Sequence, residues 1–459
     1  MSETGKMTQG AYLLIQGGYP LSGEVTVHGA KNAALPALVA ACLSDEATVL
    51  HNVPVDLQDV RLLIELLRGM GASVRMLGPT TVECSGANWT DGIADGEFAR
   101  KLRHSILLLG AAARWHTNIV VPLPGGCALG NRKHDLHTYA LREMGFVVGE
   151  TADGISLAPG SMSEDVDLHF HYPTFGGTLN TLFAAVGRPG KTIIRNAARN
   201  PEVLDVARLM CAMGAAIRWA DEHTLIVEGG RRLRGTEHRI IADRIVVATL
   251  IAAAAVTQGE IFIGEGSVGV LSSEVEVWRR AGLSINSVKR GIIARYARRL
   301  TAESITTRAY PGFHTDIQPL HAVMMSLASG TTYIKETILD GRFQYVPELR
   351  RMGAVMEVQD GGFLCVNGAP GQILKITGVE SLSAASLIAT DIRGGAAVLL
   401  GALAADGEST IGNIYQLERG YSDLAGMFQR LGARVSRVDV PPEQSATPAV
   451  AGLTRSEHF

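Results

Sequence analysis

Aromatic residues are scarce in this chain of 459 residues, at 5%. Surfaces that stack single-stranded bases are built from such rings, so that function class is disfavoured. The charge balance agrees. Lys and Arg number 42 against 45 Asp and Glu, a formal net charge of −3, which leaves no basic field for a nucleic acid. The five cysteines are scattered singly, without the paired spacings of a zinc site or a disulfide framework. Long apolar runs are missing too. The Ala-rich run at 245–256 is too short to span a membrane, and residues 1–10 are polar where a signal peptide carries an apolar segment. With 46% hydrophobic and 19% charged residues, the chain is expected to be a cytoplasmic globular protein with reduced thiols and enough length for two or more cores. Neither nucleic acid nor a membrane is expected as a partner, and oligomeric state is not legible.

Glycine, by contrast, is abundant at 52 residues, and part of it recurs in one context. Six segments close on similar words: LLRGMGA at 66–72, LREMGF at 141–146, MCAMGA at 210–215, WRRAGL at 278–283, LRRMGA at 349–354 and FQRLGA at 428–433. The glycines concerned are Gly71, Gly145, Gly214, Gly282, Gly353 and Gly432. Each reads as the end of an amphipathic helix followed by a strand. The spacing is roughly 70 residues, longer than the usual solenoid periods. The units also carry a second helix that is apolar all round, as at 106–113, 179–186, 245–255 and 396–404, and such a helix is buried on every side. Strand-like runs at 12–15 and 24–28 lead into an Ala-rich helix predicted at 33–43. The tail at 438–459 is Pro- and Ser-rich and is expected to be disordered.

Two stretches carry candidate chemistry. At 122–137, Cys127 follows two glycines and precedes a polar cluster of Arg132, Lys133, His134, Asp135 and His137. Cationic neighbours lower a thiol's pKa and raise its reactivity. Cys42, Cys84, Cys211 and Cys365 lie in helical or strand-like runs and are expected to be small buried hydrophobes. Lys31 and Asn32 stand at a strand-to-helix junction, where free amides and the helix dipole favour an anion.

Taken together, several runs make the chain resemble the enolpyruvyl transferase family, most closely its nucleotide-sugar branch. They are GAKNAALP at 29–36, LPGGCALG at 123–130 with DLH at 135–137, NAAR at 196–199 with Pro201 and Glu202, PGFHTD at 311–316, ETI at 336–338 with Arg342 and Phe343, TDIR at 390–393, and RGY at 419–421. The resemblance implies an α/β fold of two inside-out α/β barrel domains, six repeats in all and three per domain. One domain would cover 33–239 and carry the Cys127 loop. The other would combine 1–32 with 240–437.

The implied activity moves the enolpyruvyl group of phosphoenolpyruvate to the 3-hydroxyl of UDP-N-acetylglucosamine and releases phosphate, the first committed step of peptidoglycan precursor synthesis. Addition followed by elimination needs an acid at carbon, a base at the hydroxyl and strong anion clamps. By resemblance Cys127 is the acid, or the thiol that contacts phosphoenolpyruvate and that the epoxide fosfomycin would alkylate. Asp316 is the base. Lys31, Asn32, Arg132, Arg393 and Arg419 hold phosphoenolpyruvate, with Lys31 and Arg419 also counted as catalytic. The acceptor, a uridine nucleotide or nucleotide sugar, would meet Asn32, Arg103, Arg132, Lys133, His134, Asp135, Leu136, Tyr172, Thr174, Phe175, Gly176, Asp316 and Ile338. No cofactor and no metal are called for, phosphoenolpyruvate being a co-substrate.

The departures from the family pattern gather on the acceptor side. Lys133 and His134 stand where Pro and Val or Ile are usual. The run TFGG at 174–177 replaces SVGA, the run DRIVVAT at 243–249 lacks a usual Glu and Gly, and Gly394-Gly395 replaces an Ala-Ser pair. Added cations suit a more anionic acceptor, and Phe175 fills space that a sugar would need. A second expectation is therefore a paralogue acting on another nucleotide, such as the 3′-hydroxyl of UMP in nucleoside-antibiotic assembly. A non-catalytic nucleotide-binding homologue is a third, against which the joint presence of Lys31, Cys127, Asp316 and Arg419 argues.

Overall fold

The structure is a computed structural model that describes residues 10–123, 133–151, 153–162 and 164–439. Its strands form six four-stranded sheets that share one pattern. In one of them Val166–His169 runs parallel to Lys191–Arg195, which pairs antiparallel with Thr224–Glu228, which pairs antiparallel with Ala216–Trp219. The other five also hold one parallel and two antiparallel pairings. Strands distant in sequence complete three sheets. Tyr12–Gly17 lies between Gly407–Gly412 and Arg434–Val438, Ser22–Thr26 pairs with Glu260–Gly264, and Glu237–Arg239 pairs with Thr48–His51.

The buried apolar side chains separate into two cores. One draws on residues between 30 and 240, the other on residues 13–27 and 245–435. The chain crosses between them twice, and the two crossings lie side by side. Gly29 bridges Ala242, Ala30 N–H donates to Ile241 O at 2.7 Å, and Asp243 N–H donates to His28 O at 3.0 Å. A β-carbon on Gly29 would sit 1.8 Å from the Asn52 carbonyl oxygen, so this crossing admits only glycine.

Two kinds of helix cover the sheets. The outer helices Gln58–Gly69, Asp135–Glu143, Pro201–Ala212, Ser272–Ala281, Val346–Arg351 and Leu424–Gln429 bury one face and end shortly before the six recurring glycines. All six glycines have positive φ, between 86° and 123°. That left-handed geometry ends a helix and turns the chain into the next strand, and it is cheap only for glycine. The inner helices are Lys31–Ala41, Leu108–Trp115, Phe175–Ala185, Arg244–Val256, Gln318–Ser326 and Ile392–Ala404. Arg244–Val256 is buried along its whole length.

Two sequence expectations are corrected, and one helix goes beyond them. The first inner helix begins at Lys31 rather than 33, because Asp243 Oδ2 accepts the Lys31 backbone N–H at 3.1 Å. Gln318–Ser326 escaped notice because Gln318, His321 and Ser326 interrupt its apolar run, yet all three are buried. Cys211 is exposed at the end of its helix, whereas Cys42, Cys84 and Cys365 are buried. Residues 440–459 lie outside the described residues. No helix among those described is long and apolar enough to cross a membrane.

Two buried histidines tie outer helices to inner ones and must stay neutral. His137 Nδ1 accepts from Asn180 Nδ2 at 2.9 Å, the amide being oriented by Gly110 N–H on its oxygen. His321 Nδ1 accepts from Trp278 Nε1 at 3.2 Å while its Nε2 donates to Glu303 O at 2.8 Å. Burial, then the charges of Arg103, His134 and His104, push the His137 pKa down to about 3. Burial pushes His321 down to about 4, against the carbonyl of Glu303. A base depressed in the folded state stabilises fully above its unfolded pKa of about 6.5 and less at each step below it. Each histidine should therefore cost up to about 1.4 kcal/mol per pH unit on acidification. Urea midpoints should fall steadily from about pH 6 to pH 4, and His321→Gln should flatten part of that slope. A level profile would show that these rings are not held neutral.

Candidate active site

All six inner helices start at one place, a cleft of about 510 Å³ between the two cores. Lys31 and Asn32 open the first helix, Arg103 to Leu107 form the 3-10 turn before the second, and Phe175 and Gly176 open the third. Arg244 opens the fourth, Thr315 and Asp316 precede the fifth, and Ile392 and Arg393 open the sixth. Helix N-termini present unsatisfied N–H groups and positive potential, so their convergence favours an anion. Side chains cap three of them, Thr174, Asp243 and Asp391.

Cations line the cleft, most of them held by carboxylates. Lys31 Nζ lies 3.0 Å from Asp59 Oδ2, and Arg419 Nε lies 3.0 Å from Asp59 Oδ1. All three side chains are buried, and the triad joins the two cores. Burial alone would raise the Asp59 pKa, but Lys31 and Arg419 hold it below the ordinary carboxylate value. A second joint pairs Arg244 Nε with Glu202 Oε1 at 2.8 Å, with Arg244 lying over the Tyr310 ring. Arg244 Nη1 is buried with no hydrogen-bond partner among the described residues.

The third group surrounds Asp316. Its Oδ1 accepts from Arg342 Nη2 at 3.0 Å and its Oδ2 from Arg393 Nε at 3.2 Å. Its backbone N–H donates to His314 Nδ1 at 3.1 Å. Arg342 Nη1 is also 3.8 Å from Asp391. Glu336, buried behind the wall, organises the loops. It accepts from the hydroxyls of Thr307 and Thr315 and from the amides of Ile338 and Leu339. Burial raises its pKa, against those bonds. The result is a preorganised, cation-rich floor with one carboxylate, Asp316, partly open to the cleft.

A match of residues 15–428 to the family model described as EPSP synthase (3-phosphoshikimate 1-carboxyvinyltransferase) decides the lineage. The chain belongs to the enolpyruvyl transferase family. It is 39% identical over 428 residues to the UDP-N-acetylglucosamine 1-carboxyvinyltransferase of Jannaschia sp. (strain CCS1), covering 93% of this chain and 99% of that one. It is 38% identical over 426 residues to the protein of the same name from Acinetobacter guillouiae, with the same coverage. Among solved structures, the enolpyruvyl transferase NikO from Streptomyces tendae matches with a TM-score of 0.81 at 24% identity, over 94% of this chain and 100% of that one. EPSP synthase from Acinetobacter baumannii matches with a TM-score of 0.70 at 16% identity, over 93% and 100%. The fold is thus the mixed α/β fold of enolpyruvyl transferases.

Most of the residues singled out by family resemblance line this cleft. Lys31, Asn32, Arg103, Lys133, Tyr172, Thr174, Phe175, Gly176, Asp316, Ile338, Arg393 and Arg419 all do so. His134, Asp135 and Leu136 are not in its lining. His134 Nε2 lies 3.3 Å from Glu150 Oε2, and Leu136 is buried in the core. Cys127 and Arg132 lie outside the described residues. Other lining groups were not singled out for a role: Asp59, His104, Glu202, Arg244, Arg308, His314, Arg342 and Asp391. Glu202, His314, Arg342 and Asp391 fall inside the runs that carry the family resemblance, so a signal for them existed. Asp59 and Arg308 had none, since an acid in a helix's first turn and an arginine in a loop are both commonplace.

Proposed function

We propose that this protein transfers the enolpyruvyl group of phosphoenolpyruvate to the 3-hydroxyl of UDP-N-acetylglucosamine with release of phosphate, in peptidoglycan precursor synthesis. The observation that carries the reading is the cation floor, where Lys31, Arg393 and Arg419 face one cleft with a base candidate, Asp316, among them. Guanidinium groups suit a carboxylate or phosphate bidentately, and the ammonium of Lys31 adds a point charge. In the reaction, protonation of the CH2 carbon makes the neighbouring carbon electrophilic. The acceptor hydroxyl attacks it as Asp316 takes the proton. The tetrahedral adduct then loses phosphate and a proton to leave the new enol ether. Cys127 is assigned the acid or contact role and Arg132 part of the phosphate clamp, both on sequence grounds. The names of the relatives support the acceptor.

The same reading takes each core as one inside-out α/β barrel domain of three repeats, 33–239 and 1–32 with 240–437. Two separate cores, three sheets around each, and paired crossings near 29 and 242 support it. One observation favours a second acceptor. Phe175 lines the cleft edge-on to His104, with 6.4 Å between ring centroids, and narrows the acceptor side. That suits UMP, enolpyruvylated at its 3′-hydroxyl, better than a nucleotide sugar.

Phosphate release measured with phosphoenolpyruvate plus UDP-N-acetylglucosamine, UMP or shikimate 3-phosphate separates these readings. Release with UDP-N-acetylglucosamine is expected. Release with UMP alone moves the assignment to the second acceptor, and no release with any of them overturns enolpyruvyl transfer to these acceptors. An epoxide analogue of phosphoenolpyruvate should also add to Cys127. An intact protein mass that stays unchanged after incubation would remove the thiol from the site.

A further inference from the structure

Seven of the eight lysines and arginines that line the cleft fall into two sets, the eighth being Arg103, which donates to the Lys133 carbonyl. Lys31, Arg244, Arg342, Arg393 and Arg419 each have a carboxylate within 3.2 Å. Lys133 and Arg308 have no ion pair among the described residues, although both line the same cleft. A cation left without a carboxylate at the mouth of a cleft offers its full charge to a ligand, whereas a paired one must first be competed for.

These two come from opposite sides. Lys133 precedes the helix Asp135–Glu143, whose buried residues belong to the core of residues 30–240. Its backbone carbonyl accepts from Arg103 Nη2 at 2.9 Å, which fixes the base of the side chain. Its Nζ then reaches towards the other core, 3.8 Å from where a β-carbon on Gly368 would stand. Arg308 lies between Ile305 and Phe313 of that other core. Its base is held as well. Thr307 beside it is bonded to Glu336, Arg308 N–H donates to Phe313 O, and a β-carbon on Gly312 would come within 2.5 Å of Arg308 Cβ. Both charged heads are therefore free while both stems are positioned, the combination that lowers the entropy lost on binding.

We infer that Lys133 and Arg308 form a two-sided clamp for the acceptor's phosphate, and that they set the acceptor class as a 5′-phosphorylated or diphosphorylated uridine rather than a neutral nucleoside or sugar. The inference rests on the proposed function only in placing a nucleotide at this end of the cleft. An anion seated between the two side chains would be held from both cores at once, so acceptor binding would favour approach of the two halves. The donor floor, whose five cations are each already engaged by Asp59, Glu202 or Asp316, takes no part in this selection.

Calorimetric titration of UMP, UDP-N-acetylglucosamine and uridine into the full chain tests it, with Lys133→Gln, Arg308→Gln and the double variant beside the unaltered protein. Each single variant should bind UMP and UDP-N-acetylglucosamine about tenfold more weakly, the double variant more weakly still, and uridine should be unaffected. Added salt should weaken UMP binding less in the double variant than in the unaltered protein. Thermal melts check that the variants fold. The clamp is overturned if the unaltered protein binds UMP no more tightly than uridine, if the variants lose less than about threefold for both phosphorylated ligands, or if they lose uridine equally. Phosphate release is scored separately. Charge-dependent UMP binding without turnover would keep the clamp and reject the proposed reaction, and turnover with unchanged affinities would do the reverse.

Discussion

Asp316→Asn should lower turnover by about a hundredfold to ten-thousandfold, the range for loss of a positioned general base, and leave the protein folded. The amide has nearly the carboxylate's shape but cannot take up the acceptor's proton. The surroundings make the substitution informative. Asp316 is pinned by Arg342 at 3.0 Å and Arg393 at 3.2 Å, so its orientation is fixed by two buried guanidinium groups. Arg342 keeps a second carboxylate, Asp391, at 3.8 Å in the variant. Arg342 is therefore not left without a carboxylate, and because the amide oxygen can still accept from one guanidinium group, the stability loss should stay modest beside the loss of rate. Arg393 also means that Asp316 holds one of the groups assigned to the phosphoenolpyruvate carboxylate. Binding of that substrate would give Arg393 a second anion to pair with and would free one oxygen of Asp316 for the acceptor hydroxyl. Phosphate release assays with urea midpoints from the same preparations check this. A variant that keeps more than about a tenth of the turnover would take the base role from Asp316. A variant that loses turnover only because its urea midpoint collapses would make the residue structural.

Much of this arrangement was legible in the sequence because glycine writes its geometry directly. Gly71, Gly145, Gly214, Gly282, Gly353 and Gly432 recur where only a left-handed residue lets an amphipathic helix hand over to a strand, and each has positive φ. The inner helices were visible as apolar runs, except where buried polar groups with local partners broke the pattern. Gln318 donates to the Tyr345 hydroxyl, and His321 is bonded on both ring nitrogens. Cleft-lining residues were singled out where short runs matched a family pattern. What stayed hidden was pairing across the molecule. Asp59 reads as an ordinary acid in a first helical turn, yet its partner Arg419 is 360 positions away. No local pattern encodes such a contact. It arises only when two cores fold and the chain crosses between them at Gly29 and Ala242. Lys133 and His134 illustrate the same limit from the other direction. They are adjacent in sequence, but one lines the cleft and the other turns to Glu150.

Asp59→Ala should be among the most destabilising single changes at the cleft, costing about 3–5 kcal/mol at neutral pH. The carboxylate is shared by Lys31 and Arg419, and all three side chains are at most 6% exposed. Removing it leaves two buried cations without the charge that they share, which is far worse than never having buried the group. It also cuts a tie between the two cores, since Asp59 belongs to one and Arg419 to the other. Asp59→Asn should cost less, because the amide oxygen still accepts one hydrogen bond. The pH sign separates this triad from the buried histidines. The Asp59 pKa is lowered in the folded state, so its contribution is complete above the ordinary value of 3.8 and is lost only as acid carries the pH through the lowered one. The histidine effect begins near pH 6.5, well above that. A ligand should tell the rest. If Lys31 and Arg419 form the anion clamp, phosphoenolpyruvate can partly replace the missing carboxylate and should raise the urea midpoint of Asp59→Ala more than that of the unaltered protein, by mass action on the folded state. A variant within about 1 kcal/mol of the unaltered protein would mean that the triad is not what joins the two halves. Equal ligand shifts in both would mean that the anion binds elsewhere.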